Sequence, residues 1–491
     1  MKMKRLTCCL FFALGVYGSV WAQAPIVLPP GHEITTYMVL NKDLGLGTRH
    51  NHFDLPYCLP DSLAFYPYSF LLPHQRQGYV NSSLQSRWQY DTASDEGGHY
   101  TELWFWHQLN KPLTLFVSAA VTNNPDGEYL LGTHHTRLGH TGMINRAYVS
   151  GRWDHFELLW GRVPLQWGPG RLRQLGVQGN MPSQDLIKLT FKQAGRYRLS
   201  TFLSQLDRQS IDSDAGGTVL YNRWLAGHRL EIPLFEQKVL VGLGDYVLYT
   251  GQNRGIEINY FNPLSPFHTQ TFENKVEGID TAVDSTARGD NQNVAIYGDC
   301  NWAIQPNLHL YGELFVDEFQ IDQADRDKMD DSIGLLLGVA GGRQSGRLTW
   351  HFMAEAYRLS TWLYNHGGIA TNWVYNGHHL GFDEGADLRG FKVRNEWWLD
   401  SDKMLALDYT HFDQGEITTD SPWAPESTKG RGFPCGVVEK TRRVELSIFY
   451  YPLPWLLCEG GVAYQSINNK EHVTNVDQEK ASCRFSFQVI L

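Results

Sequence analysis

Hydrophobic and polar residues alternate along most of the chain after about residue 98. In residues 308–317, one face carries Leu, Leu, Gly, Leu and Val, and the other carries His, Tyr, Glu, Phe and Asp. Residues 444–450 and 405–409 repeat this pattern. A period of two is typical of a strand whose two faces meet different surroundings. Because the polar face mixes acids, histidine and large aromatics, we favour a crowded, wet barrel lumen over the face of a soluble sandwich.

The last eight residues alternate in the same way, with Phe485, Phe487, Val489 and Leu491 on one face. A terminal strand with outward aromatics closes an outer-membrane barrel by pairing with the first strand, so that no open edge remains. The last strand of a secreted sandwich is the alternative that this pattern leaves open. We therefore predict an all-β protein, a transmembrane antiparallel β-barrel.

The sequence predicts three segments. Basic residues followed by an apolar run and the small residues around Trp21 indicate a secretory signal peptide over residues 1–22, cut before Gln23. Residues 23–89 contain seven prolines and little alternation, which predicts an irregular periplasmic or plug segment. Residues 90–491 are left for the barrel. Dividing about 400 residues by 22 to 26 per strand and loop gives roughly 16 to 18 strands.

Composition fits a membrane barrel and excludes one class of partner. In a barrel only alternate residues contact lipid, so the mean hydropathy of the whole chain stays on the polar side. The 24 tyrosines and 16 tryptophans suit the aromatic girdles found at membrane interfaces. The net charge of -10 argues against nucleic acid as a partner. We expect outer-membrane lipid and the barrel-insertion machinery as partners instead. Five scattered cysteines remain after the signal peptide and give no disulfide framework.

Three blocks combine charged, aromatic and turn-forming residues, namely residues 161–170, 223–232 and 253–267. The first interpretation is structural: a Gly-Pro-Gly turn in the first block, and paired charges across a lumen in the other two, because buried charges must be paired. Sugar binding is the alternative, since Trp stacks on the CH faces of sugars while Arg, Asn and acids bind hydroxyls. The candidate residues for polysaccharide binding or a lumen network are Arg162, Trp167, Arg223, Arg229, Glu257, Asn262, Glu313 and Asp317.

In order and spacing, these blocks together with residues 289–293 and 311–320 resemble the Wzi family of capsule-assembly proteins. Residues 375–381 are similar to a loop of that family. The resemblance covers roughly residues 150 to 390. It implies an outer-membrane barrel of about 18 strands that is occluded by its own loops. It also implies a periplasmic helical bundle at the amino terminus, for which the proline-rich segment is poorly suited.

The function that the resemblance implies is lectin-like. Such a protein binds capsular or surface polysaccharide and helps to assemble or anchor it on a Gram-negative cell. An outer-membrane channel or porin for small polar solutes or saccharides is the alternative, and it requires a continuous wet lumen.

We predict neither an enzyme nor a cofactor site. The mature sequence lacks GxSxG, P-loop and HExxH motifs and offers no nucleophile paired with a base. The histidines at 134, 135 and 140 and at 378 and 379 lack the regular spacing of metal ligands. The acidic loop over residues 322–331 lacks the EF-hand pattern of a calcium site.

Overall fold

The structure is a computed structural model. It describes residues 27–28, 54–55, 57–58, 80–92, 96–110, 112–124, 131, 136–193, 195–213, 217–269, 292–319, 327–365, 369–400, 402–453 and 455–490. The predicted signal peptide lies outside the described residues, as do most of the predicted amino-terminal segment, His134, His135 and the first half of the acidic loop, residues 322–326.

Within the described residues, eighteen antiparallel strands form one closed barrel. The strands are β1 Val80–Asp91, β2 Glu96–Asn110, β3 Leu113–Thr122, β4 Thr141–Arg152, β5 Phe156–Val163, β6 Gln184–Gln193, β7 Tyr197–Gln205 with its continuation Gln209–Ser213, β8 Gly217–Leu234, β9 Val239–Gly251, β10 Gln292–Gln305, β11 Leu308–Glu318, β12 Ser332–Ser345, β13 Leu348–Leu359, β14 Leu388–Asp400, β15 Lys403–Gln414, β16 Glu439–Leu453, β17 Leu456–Asn468 and β18 Gln478–Ile490. Each strand pairs with the next along the chain. The predicted fold class is confirmed.

The two faces of the wall follow the predicted alternation. On β11, Leu310 and Leu314 are exposed, while Tyr311, Glu313 and Phe315 at the alternate positions are buried. Outward apolar residues place a hydrophobic belt around the barrel, as a bilayer requires. The inward face carries the acids, histidines and aromatics expected of the lumen.

The barrel closes where β18 pairs with β1. Phe487 on β18 stands opposite Trp88 on β1, and their rings stack at 4.9 Å. The first barrel strand begins at Val80, ten residues before the predicted boundary at residue 90. The last proline of the amino-terminal segment is Pro73, and several serines in β1 weaken the alternation that marks a strand.

The connections differ greatly between the two rims. Those that follow even-numbered strands contain two to four residues, whereas those that follow odd-numbered strands include every long loop. The longest joins β9 to β10 over residues 252–291. Because membrane barrels have short periplasmic turns and long extracellular loops, the long-loop rim faces the cell exterior. β1 begins and β18 ends at the opposite, short-turn rim.

Smaller elements lie in the connections. Short strand pairs join Val27–Leu28 to Tyr57–Cys58, Asp54–Leu55 to Gln166–Trp167 and Val374–Tyr375 to His378–His379. Among the described residues, the 3-10 helices are Ile258–Phe261, Ile369–Thr371, Pro425–Ser427 and Lys470–His472. In the part of the chain that the structure describes, no helix is long and apolar enough to cross a bilayer.

Candidate functional site: the occluded lumen and its rim

The connection between β5 and β6, residues 164–183, folds into the barrel and is called the first lumen loop here. Two carboxylates of the wall hold its backbone. Glu313 accepts hydrogen bonds from the N–H groups of Gly170 and Leu175, each at 2.8 Å. Glu355 accepts from Arg171 and the next residue at 2.6 and 3.0 Å. Burying a carboxylate is energetically unfavourable unless its oxygens accept hydrogen bonds. These bonds therefore stabilise the two buried carboxylates and hold the loop in place.

The Gly-Pro-Gly sequence makes this close approach feasible. The chain ends a short strand at Trp167 and bends at Gly168, whose φ is 120°. A Cβ atom at Gly168 would collide with the Tyr297 hydroxyl and the Glu313 carboxylate. Glycine supplies both the positive φ and the missing side chain, so the segment that was predicted as a turn forms the contact point of the loop with the wall.

The connection between β13 and β14, residues 360–387, also enters the barrel and is called the second lumen loop. Arg223 is fully buried and donates hydrogen bonds to the carbonyls of Ala370, Asn372 and Val374 at 2.7 to 3.0 Å. The same guanidinium pairs with Asp207 at 2.9 Å. One rigid guanidinium therefore holds three alternate carbonyls of the second lumen loop.

The two lumen loops bind each other in the middle of the barrel. The Tyr364 hydroxyl donates to the Leu175 carbonyl at 2.6 Å, and the Trp373 indole N–H donates to the Gly176 carbonyl at 2.9 Å. Tyr364 N–H in turn donates to Asp317 of β11 at 2.8 Å. The rings around these bonds form one apolar cluster of buried residues that includes Trp167, Tyr246, Phe315, Tyr364 and Trp373.

A second link between the loops is ionic. Arg173 of the first lumen loop pairs with Glu384 at 2.6 Å and with Asp383 at 3.5 Å in the second. Burial disfavours the charge on Arg173, but the two carboxylates outweigh this effect and raise the pKa of Arg173 above its ordinary value. Arg173 is therefore charged at every physiological pH, and the link between the loops persists.

Arg229 belongs to a different group, which lies in the wall of the lumen. It contacts Asp299 at 2.6 Å and Glu231 at 3.2 Å, and all three side chains are buried. With two acids around one cation, the charges are satisfied within the protein. This arrangement matches the structural interpretation of the second block.

A partly exposed polar group lies where β5 and β6 meet the long-loop rim. Arg162 binds both carboxylate oxygens of Asp185, and about a third of the Arg162 side chain is exposed. Tyr375, at the tip of the second lumen loop, lies beside them, and its hydroxyl donates to the Ser183 carbonyl at 3.2 Å. Burial raises the pKa of Tyr375 to about 12; the charge of Arg162 lowers it, while Asp185 and Asp207 raise it. We call Arg162, Asp185, Asp207 and Tyr375 the rim site.

The connection between β9 and β10 takes the opposite course. Its residues 252–269, here called the outer flap, pack on the outer wall of the barrel. The Phe267 N–H donates to the Asp245 carboxylate at 2.8 Å, and the ring of Phe267 stacks on His228 with centroids 4.0 Å apart. His228 contacts Asp245 at 3.2 Å. Tyr260 packs against Tyr249 and is fully buried.

The residues beneath the outer flap explain its position. Across neighbouring strands, Leu189, Thr201, His228, Asp245 and Ile296 stand side by side at outward positions. The two ends of this row are apolar, and the three residues between them are polar. Polar groups exposed to hydrocarbon are unfavourable, and the outer flap covers them.

The predicted site residues fall into four environments. Trp167, Arg223, Glu313 and Asp317 hold the lumen loops, and Arg229 lies in its own buried network. Arg162 lies at the rim. Glu257 and Asn262 lie on the outer flap, where Glu257 pairs with Arg254 at 2.6 Å, so this pair does not cross the lumen. Sequence reasoning missed Glu355, Arg173 and Glu384, and it missed Asp245 and His228.

The described residues offer no group of three or more His, Cys, Asp or Glu side chains arranged to hold a metal ion. The four cysteines whose side chains are described, Cys300, Cys435, Cys458 and Cys483, form no disulfide with one another.

An eighteen-stranded antiparallel barrel with an apolar belt, short turns on one rim and long loops on the other is a transmembrane barrel of the outer-membrane class. The model of the capsule assembly protein Wzi family matches residues 82–482, and the chain belongs to that family. It is an outer-membrane protein, as the family assignment and the fold agree.

Several solved structures are similar to this chain at low sequence identity. One is Wzi of Escherichia coli, described as an outer membrane protein involved in group 1 capsule assembly and as a carbohydrate-binding β-barrel. It is 12% identical, with a TM-score of 0.60 over 95% of this chain and 99% of that chain. Two others are from Pseudomonas aeruginosa. OccK1 is 12% identical, with a TM-score of 0.46 over 85% and 100% of the two chains. OccD3 is 9% identical, with a TM-score of 0.48 over 84% and 92%. A comparison with curated protein sequences found no match.

Proposed function

We propose that the protein binds capsular or surface polysaccharide at its long-loop rim and helps to assemble or anchor it on the cell. Membership of the capsule assembly family is the observation that carries this proposal. The occluded lumen supports it, because a barrel closed by two mutually bonded loops offers a ligand its rim and not its interior.

The rim site has the chemistry that an acidic or neutral sugar chain requires. Tyr375 offers a partly exposed ring for the CH face of a sugar, and Arg162 offers a cation that is held in place by Asp185. The Asp185 side chain is 56% exposed, so its carboxylate can also accept hydrogen bonds from sugar hydroxyls. Arg162 is the residue of the predicted set that we assign to the ligand. Most of the others have buried structural partners.

The test compares the partition of surface polysaccharide between washed cells and medium. We expect loss of the protein to move polysaccharide into the medium at constant total amount. Arg162→Gln combined with Tyr375→Leu should produce the same shift while the protein stays folded in the membrane. Arg343→Gln, which removes an exposed cation near the opposite rim, is the matched control and should retain polysaccharide.

The channel hypothesis makes a different prediction. Two results together would favour transport over anchoring as the function of the protein. They are sustained conductance steps in planar bilayers and an unchanged polysaccharide partition in cells that lack the protein. We expect neither, since the lumen loops fill the centre of the barrel. We also expect no catalytic turnover of the bound polysaccharide, which its chain length before and after incubation would show.

A further inference from the structure

The outer wall of β13 to β16 carries four cations at the long-loop rim, Arg358, Arg389, Lys440 and Arg442, here called the outward strip. All four are exposed. On β16 the outward positions are read directly from burial, because Thr441 and Ser447 face the lumen and are buried. From the long-loop rim downward, the outward residues of this strand are Lys440, Arg442, Val444, Leu446, Ile448 and Tyr450.

The strand register brings the four cations together. Arg358 stands opposite Arg389, which stands opposite Asp413, and Asp413 stands opposite Lys440. Arg442 is one outward position below Lys440 on the same strand. The cations of the outward strip therefore lie on β13, β14 and β16. The acidic Asp413 of β15 stands between Arg389 and Lys440 in this row.

The outward strip has more positive charge than its neighbours neutralise. Arg389 pairs with Asp413 at 3.2 Å, and Arg358 lies 4.3 Å from the ring centre of Phe433. Among the described residues, Lys440 and Arg442 form no ion pair. Glu479, two strands beyond β16, is an acidic side chain at a similar height, and the Tyr464 hydroxyl hydrogen-bonds to it. The four cations thus outnumber these two acids.

Its height on the wall corresponds to the membrane interface. Phe391 and Tyr409 lie at outward positions beside and just below the strip, with ring centroids 5.6 Å apart. On β17, the strand that borders the strip, Tyr464 is 48% exposed. Aromatic rings at the end of an apolar belt mark the level of lipid headgroups. On the long-loop rim this level belongs to the outer leaflet.

We propose that the outward strip binds the phosphate groups of a phosphorylated glycolipid in the outer leaflet, while Val444 and Leu446 contact its acyl chains. Guanidinium and ammonium groups are the usual partners of phosphate, and Arg can bind it in a bidentate manner. The cations point sideways from the wall and continue directly into exposed apolar positions. This combination fits an amphiphile that lies beside the barrel better than a polysaccharide that approaches the rim from above.

The test measures binding of lipid A to the purified full-length protein in detergent by native mass spectrometry. We expect Lys440→Gln with Arg442→Gln to weaken binding of lipid A that carries two phosphates by about tenfold or more, given about 1 kcal/mol per basic residue near a charged membrane surface. Removing both phosphates from the lipid should weaken binding to the native protein by a similar factor. Arg343→Gln with Arg347→Gln removes two cations at the short-turn rim and should leave binding unchanged.

Three results would overturn the proposal. Dephosphorylated lipid that binds the native protein as tightly as the phosphorylated lipid would exclude phosphate recognition. Inorganic phosphate that displaces the lipid at equal phosphate concentration would show an anion site without a lipid role. Loss of capsular polysaccharide binding in the Lys440→Gln, Arg442→Gln protein, with lipid binding intact, would assign the strip to the polysaccharide.

Discussion

The first lumen loop and the outer flap start from the same rim and fold in opposite directions, yet each is fixed by the same kind of contact. Inside, Glu313 accepts two backbone N–H groups of the first lumen loop. Outside, Asp245 accepts the N–H of Phe267. In both places aromatic rings then cover the hydrogen bonds. In both regions a wall carboxylate thus accepts backbone N–H groups of a loop, and the face of the wall on which the carboxylate lies decides whether the loop folds inward or outward.

The two regions differ in what the contact protects. The lumen loops bury charged groups between themselves and the wall, so removing a partner leaves an unsatisfied group in a dry interior. The outer flap covers three polar residues on a wall that otherwise faces lipid. We therefore expect mutations inside to affect both stability and permeability, and mutations under the outer flap to affect the flap alone.

Glu313→Ala should have the largest effect. It removes the acceptor for two buried N–H groups, which we expect to cost about 3 to 5 kcal/mol and to release the first lumen loop. Conductance in planar bilayers should rise from closed to sustained open steps, and the temperature of barrel unfolding should fall. Glu313→Gln keeps one carbonyl acceptor and should show a smaller change in both measurements. A Glu313→Ala protein that stays closed with an unchanged unfolding temperature would contradict the role assigned to this carboxylate.

Arg223→Lys tests the second lumen loop. Lysine keeps the charge near Asp207 but loses the planar fork that reaches three carbonyls, and we expect a loss of about 2 to 3 kcal/mol. The second lumen loop should become accessible to protease from the cell exterior, which mass spectrometry of the released peptides would show. Arg162→Lys, at the exposed rim, is the matched control and should leave proteolysis unchanged. Equal protease resistance of the Arg223→Lys and native proteins would show that the fork does not hold the loop.

The wall could be predicted from the sequence because it depends on one local rule. Alternation places Tyr311, Glu313 and Phe315 inside and Leu310 and Leu314 outside, and the structure agrees. The direction of the loops depends instead on contacts between residues far apart, such as Glu355 with Arg171, 184 positions away. A single sequence has no periodic signal for such pairs. It therefore marks Arg223 and Glu313 as candidate site residues but does not predict that they hold the two lumen loops.

One missed feature did leave a signal in the sequence. Once Arg229 and Glu231 are placed inside, His228 must face outward, and Asp245 takes the same orientation opposite it. A histidine and an aspartate at lipid-facing positions are too costly to leave uncovered, so they indicate a covering segment. The same parity argument places Lys440 and Arg442 outside, but at the rim their charges need no cover.

Asp245→Asn tests the outer flap. The amide still accepts from the Phe267 N–H but loses the carboxylate charge beside His228, and we expect the outer flap to be destabilised by about 1 to 2 kcal/mol. Protease should cut residues 252–269 faster, while conductance stays closed. Open conductance steps in this variant would show that the outer flap and the lumen loops are coupled, which contradicts the separation of the two regions.

Glu257→Gln should have the smallest effect. The pair of Glu257 with Arg254 resembles the pair of Arg229 with Asp299 in distance, at 2.6 Å each, but the first is partly exposed and the second is buried. Water and salt screen an exposed pair, so its loss should cost less than about 1 kcal/mol and should matter even less at high ionic strength. Asp299→Asn is the buried counterpart and should destabilise the barrel by several times that amount, with little dependence on salt. Thermal unfolding of both variants at low and high salt measures the difference. Equal losses of stability in the two variants would mean that the exposed ion pair on the outer flap and the buried ion pair in the lumen contribute equally, which contradicts the effect expected from their different exposure.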